Sequence, residues 1–175
     1  MPEFIPSTTA PANGVRFFNW PGAGEEISET LGFTHACIIP PGATIIHVGG
    51  QAGITPEGTV PSDLEEEIHA AFSHIELSLR AAGLTGTRQE VWACVYKVTG
   101  ASSKVFFSLL TTSPLQQVNT YHANTDDKFG LTLHRILMEY VGANRPLFTG
   151  VDVYKLLRPD LHLEIEVEAF LPKVE

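Results

Sequence analysis

Basic residues are scarce in this chain. Only 11 Lys and Arg stand against 20 Asp and Glu, a formal charge of -9 with no basic block anywhere. Such a surface repels phosphate backbones, so the expectation is no nucleic-acid partner. Cysteine is nearly absent: Cys37 and Cys94 are far apart and form neither a C-x-x-C pair nor a metal-ligand set. They read as reduced, buried strand residues. Met1–Thr9 has no basic stretch leading into an apolar run, and no segment is long enough to span a bilayer. The expectation is a soluble, cytoplasmic protein with no membrane contact. The G-x-S-x-G elbow, the P-loop and H-E-x-x-H are all missing. His69 and His74 stand five apart on an expected helix and diverge, so no metal site is read.

What is present suits one domain: 43% of the residues are hydrophobic, enough to fill a single core at this length. Residues 1–30, rich in Pro, Gly, Ser and Thr, read as an extended N-terminal arm, and residues 31–172 as the domain. There is no internal repeat. Phe33–Ile39 and Thr44–Val48 flank Pro40-Pro41-Gly42 and predict a hairpin. Ser62 with Glu65 predicts a capping box. The helix it opens carries Leu64, Ile68, Phe72, Ile75 and Leu79 on one stripe and ends at Gly83. A second helix is expected over about 126–141, and strands over Thr149–Leu156 and Leu163–Phe170.

Val91–Val98 reads as a strand with two apolar faces: Val91, Ala93 and Val95 on one, Trp92, Cys94 and Tyr96 on the other. Helices cover only one face of a sheet this small, so the second face calls for another subunit. The stretch 100–124 reads as an inserted loop or short helical excursion. The fold class is α/β (α+β), a mixed sheet with two helices on one face.

Four segments, in this order, resemble the Rid family, also called YjgF-like or L-PSP endoribonuclease-like: H-V-G-G-Q, I-H-A-A-F-S-H-I-E-L-S-L-R-A-A-G-L, V-W-A-C-V-Y-K-V-T, and G-V-D-V-Y-K-L with I-E-V-E-A-F. The likeness runs from about Gly32 to Phe170. It implies a chorismate-mutase-like fold, a homotrimer resembling a barrel, small-molecule clefts at the subunit interfaces, and hydrolysis of reactive imines and enamines without a metal or organic cofactor.

The resemblance also assigns site residues. Family deaminases hold the substrate carboxylate with an arginine at the start of the penultimate strand, and that position falls here on Phe148. Phenylalanine has neither charge nor donors, so two readings stand open: Phe148 lines a rebuilt cleft for a larger, flatter or uncharged ligand, or it packs at a subunit interface and the activity is lost. Arg145 is a candidate replacement anchor, although a shift of three residues reverses its side of an extended chain. Glu166 matches the family glutamate that positions the hydrolytic water, and Glu164 and Glu168 share its strand face by alternation. Gly50 and Gln51 match the family's ligand loop, or else form a bulge. Phe33 stands where many members carry a tyrosine over the cleft. His35 and His47 are ordinary strand histidines on the simplest reading, with proton transfer as the alternative. The insertion at 100–124 either shapes ligand access or decorates the surface. The leading expectation is therefore a Rid-like hydrolase or deaminase with altered specificity. A non-catalytic trimeric ligand-binding protein comes second, and a ribonuclease, disfavoured by charge, third.

Overall fold

The computed structural model describes residues 2–4, 14–102 and 127–171. Four strands form the main sheet: β4 (Thr44–Ala52), β7 (Glu164–Leu171), β5 (Val95–Ser102) and β6 (Leu147–Asp152), in that spatial order. Only β5 and β6 run parallel, so the sheet is mixed. Helix α2 (Leu64–Ala81) lies on β4 and β7, and α4 (Asp127–Val141) packs beside it. A second sheet holds β1 (Glu3–Phe4), β2 (Arg16–Phe18) and β3 (Ala36–Ile38), with α1 (Ala23–Leu31) between β2 and β3.

The helical stripe is confirmed: Ile68, Phe72, Ile75 and Leu79 are all buried. The cap is displaced by one residue, since Asp63 rather than Ser62 accepts from the Glu65 and Glu66 amides at 2.9 and 3.1 Å. An ionised carboxylate is the stronger acceptor at a helix N-terminus. Past the helix end, Gly83 takes a φ of 110°, as a left-handed terminus requires.

Three local expectations are corrected. The predicted hairpin does not form: β3 pairs with β2 and β4 pairs with β7. Pro40 and Pro41 lack N–H donors, so no ladder continues through the turn, and each strand finds another partner. Within the arm, Ala23–Leu31 is helical rather than extended; Gly22 opens α1 and Gly32, at φ 68°, closes it. The strand predicted over Val91–Val98 begins only at Val95, because Thr87 and Glu90 cap each other and start a short helix, α3 (Arg88–Ala93). Val91 and Trp92 are then buried within the chain itself, against Phe72 and Tyr140 in the case of Trp92. The two-faced strand that called for a second subunit is therefore absent. Residues 103–126, most of the expected insertion, lie outside the described residues.

Helix and sheet touch most tightly where Gly53, just after β4, meets α2. A Cβ at Gly53 would collide with the Glu67 carbonyl oxygen and stand 2.6 Å from Glu67 Cγ. Glu67 is fully buried, and its carboxylate accepts from the His162 amide and from His162 Nδ1, both at 2.7 Å. Backbone cannot yield as a side-chain tip can, so Gly53→Ala is expected to cost about 2 kcal/mol. Urea unfolding of parent and variant measures it, and equal midpoints would show that α2 is not held at this point.

Candidate functional site

Strand β7 lies between β4 and β5, and its alternation separates two surfaces. Leu163, Ile165, Val167 and Ala169 are buried, while Glu164 and Glu168 are half-buried and Glu166 is exposed. Register extends each set sideways. Val48, Val167, Val98 and Phe148 form one row, and its first three members are buried. The row on one side of it runs Glu166, Thr99, Thr149, and the row on its other side His47, Glu168, Lys97, Leu147.

Between Val48 and Gln51, β4 has two residues, Gly49 and Gly50, where β7 has only Glu166. This is a β-bulge, the second of the two readings for the Gly50–Gln51 segment, and it lies opposite the candidate catalytic carboxylate. A Cβ at Gly50 would displace the Glu164 carboxylate, a side-chain tip that occupies the space the glycine leaves. The Gln51 amide nitrogen donates to the carbonyls of Gly49 and Gly50, at 3.2 Å each, and the side chain stays on its own loop.

A hollow of about 220 Å³ opens on this face, lined by His47, Gly49, Thr99, Glu166 and Glu168 with Val48 and Val167. Its two carboxylates differ in their surroundings. Glu168 accepts from Lys97 Nζ at 2.7 Å and from the Tyr96 hydroxyl at 2.8 Å. Burial raises its pKa, but the bonds from Lys97 and Tyr96, with the charges of Lys97 and His47, outweigh that and hold it below its ordinary value. Burial, and next the bond to Glu168, push the Tyr96 phenol up. Among the described residues Glu166 has no ion-pair partner. One carboxylate is thus fixed as an anion, and its neighbour is free to meet a ligand.

The other candidates lie elsewhere in the chain. Phe148 is half-buried against the core, its ring centroid 6.3 Å from that of Phe33, and neither residue lines the hollow. Phe33 adjoins His35 at 5.4 Å, and His35 stacks on Trp20 at 3.8 Å. His35 Nδ1 bonds to Asn19 Oδ1 at 2.9 Å, and burial lowers its pKa. Arg145 lies over the Phe4 ring, 4.5 Å from its centroid, beside a different hollow. Lys97 and Thr99 were not singled out in the sequence, and Tyr96 was read there only as part of an apolar strand face. The alternation of Lys97 and Thr99 within an apolar strand was their available signal.

No family model matches the chain, and no curated protein matches it in sequence. Solved structures do. YyfB from Yersinia pestis, a protein of unknown function of the conserved Rid protein family, aligns with a TM-score of 0.64 and 23% identity over 90% of this chain and 98% of that one. A member of the highly conserved YjgF/YER057c/UK114 family from Mycobacterium tuberculosis aligns with a TM-score of 0.50 and 21% identity over 90% of this chain and all of that one. The fold is that of the Rid, or YjgF, proteins. This agrees with the mixed α+β, chorismate-mutase-like architecture expected from the sequence. Among the described residues no helix of this Rid-like fold is long and apolar enough to cross a membrane.

The locked state of Glu168 carries a pH signature. Its folded pKa lies below the unfolded value of about 4.5, so its stabilisation is complete above that pH and is lost as pH falls through the folded value. Parent and Glu168→Gln proteins should differ by about 1 kcal/mol at neutral pH, with the gap closing on acidification below about pH 4. Thermal melts across pH measure this, and a gap that widens in acid would contradict the assignment.

Proposed function

We propose that the chain is a Rid-like hydrolase of a small imine or enamine, working in a cytoplasmic homotrimer with Glu166 as its proton-moving group. One observation carries the reading: Glu166, without an ion-pair partner among the described residues, stands at a hollow, opposite a glycine bulge and beside a carboxylate that is already neutralised. Hydrolysis of an imine adds water across C=N. Glu166 takes a proton from the attacking water as the C–O bond forms, and the imine nitrogen gains a proton. In the resulting carbinolamine the hydroxyl proton passes to the nitrogen by way of Glu166 as the C–N bond breaks, so that an amine or ammonia leaves with a carbonyl product. Gly49, with open space where a Cβ would stand, lets a ligand approach its backbone, whereas the space beside Gly50 is taken by the Glu164 carboxylate.

The substrate on this reading is not anchored through a carboxylate at position 148, because Phe148 is apolar and packs beside Phe33. The same observation favours the second reading, a trimer of this fold that binds a ligand without turning it over. The trimer is part of the proposal, and the exposed polar sheet face bearing Glu166 is the surface from which it would build its clefts.

Imines generated in situ by an amino-acid oxidase, with their decay followed by a trapping reagent, separate the two. The expected outcome is accelerated decay, reduced roughly 100-fold in Glu166→Gln, by a protein whose light-scattering mass is three times 19.1 kDa. A trimer that leaves every imine untouched would select the binding reading. A monomer would remove the clefts altogether.

A further inference from the structure

The larger hollow, about 460 Å³, lies away from Glu166, where the N-terminal strand, α1 and the end of α4 converge. Phe4, Glu29, His134, Met138, Gly142 and Arg145 are among the residues around it. Two of these are formally charged, with opposite signs. Arg145 is half-buried and stacked on Phe4, and among the described residues its guanidinium makes one further contact, a long one of 3.5 Å from Nη1 to Ser28 Oγ. Among the described residues no carboxylate pairs with it, and no cation pairs with Glu29. The five other arginines, Arg16, Arg80, Arg88, Arg135 and Arg158, each have a carboxylate partner.

A guanidinium held over an aromatic ring keeps its fork of N–H donors for a planar anion. Glu29 supplies a full negative charge to the same space. The C-terminal ends of α1 and α4 reach it through Gly32 and Gly142 and add partial negative charge. His134 Nε2 bonds to the Leu31 carbonyl at 3.1 Å, which makes that nitrogen the donor and fixes the tautomer. The walls between the two poles include the apolar side chains of Phe4, Met138 and Ala143. The volume is that of a small-molecule site.

We infer that this hollow binds a zwitterion, an α-amino acid with an aliphatic side chain, its carboxylate on Arg145 and its ammonium toward Glu29 and the helix ends. The site shares no lining residue with the Glu166 hollow and does not depend on the reaction proposed there.

Calorimetric titration of the full chain with L-leucine tests it, alongside 4-methylpentanoate, which lacks the ammonium, and 3-methylbutylamine, which lacks the carboxylate. Leucine is expected to saturate, with each analogue at least about tenfold weaker. Arg145→Gln and Glu29→Gln should each weaken leucine binding about tenfold, and Arg145→Lys should recover part of the loss. Glu166→Gln should bind leucine within about twofold of the parent. Arg145 also steadies Phe4, so thermal midpoints are compared, and Glu29→Gln, at an exposed position, carries the test where Arg145→Gln does not fold. Absence of saturation up to about 10 mM leucine, equal binding of either analogue, or loss of binding only in Glu166→Gln overturns the inference.

Discussion

A row of three carboxylates on the central strand of a sheet is the constraint to which the rest of this surface answers. Strand β7 has neighbours on both sides, so period two sends Ile165, Val167 and Ala169 inward and leaves Glu164, Glu166 and Glu168 together on the other face. Alternate positions on one strand are about 7 Å apart, close enough for like charges to repel at a poorly hydrated surface. The neighbouring strands relieve this unevenly. Lys97 and Tyr96 clamp Glu168, and the missing side chain of Gly50 leaves room for the Glu164 carboxylate. Glu166 receives neither treatment, and the hollow forms around it.

The same strand arrangement explains both bulges. In β5, Val95 faces Ala169 and Lys97 faces Glu168, so Tyr96 is the extra residue, and its hydroxyl still reaches Glu168. In β4 the extra residue falls in Gly49–Gly50. Each bulge re-aims backbone or side chain at an acidic residue of β7 while the buried row on the other face keeps its order. That inner row is itself anchored from outside the sheet, since Gly53 brings the backbone of α2 into contact and Glu67 fastens the approach to β7 at His162. A buried carboxylate with two donors is costly to strip of either, so this joint resists sliding of α2 along the sheet.

Much of this was legible in the residues. The stripe from Ile68 to Leu79, the alternation of the last strand and the glycine after α2 each follow from periodicity and from one backbone requirement, and each stands as read. The failures share a cause. Thr87 and Glu90 carry a capping signal as good as that of Ser62 and Glu65, but the apolar run after them reads equally well as strand, and periodicity over so few residues does not decide. The β3–β4 hairpin looked local, whereas pairing with β2 and β7 depends on segments far away in sequence. The strand face shared by Glu164, Glu166 and Glu168 was legible from alternation, whereas the contact of Tyr96 with Glu168 was hidden because a bulge breaks the alternation there.

Phe148 gives the last step. Its row partners Val48, Val167 and Val98 are buried, and its ring packs near Phe33. A guanidinium placed there would have to leave that row or find a partner among apolar neighbours, and an unpaired charge in such a setting costs several kcal/mol. The apolar surroundings and the phenylalanine are therefore mutually consistent. Phe148 belongs to the inner row and lies outside the Glu166 hollow, so it shapes the packing beneath that face and not the charge presented on it.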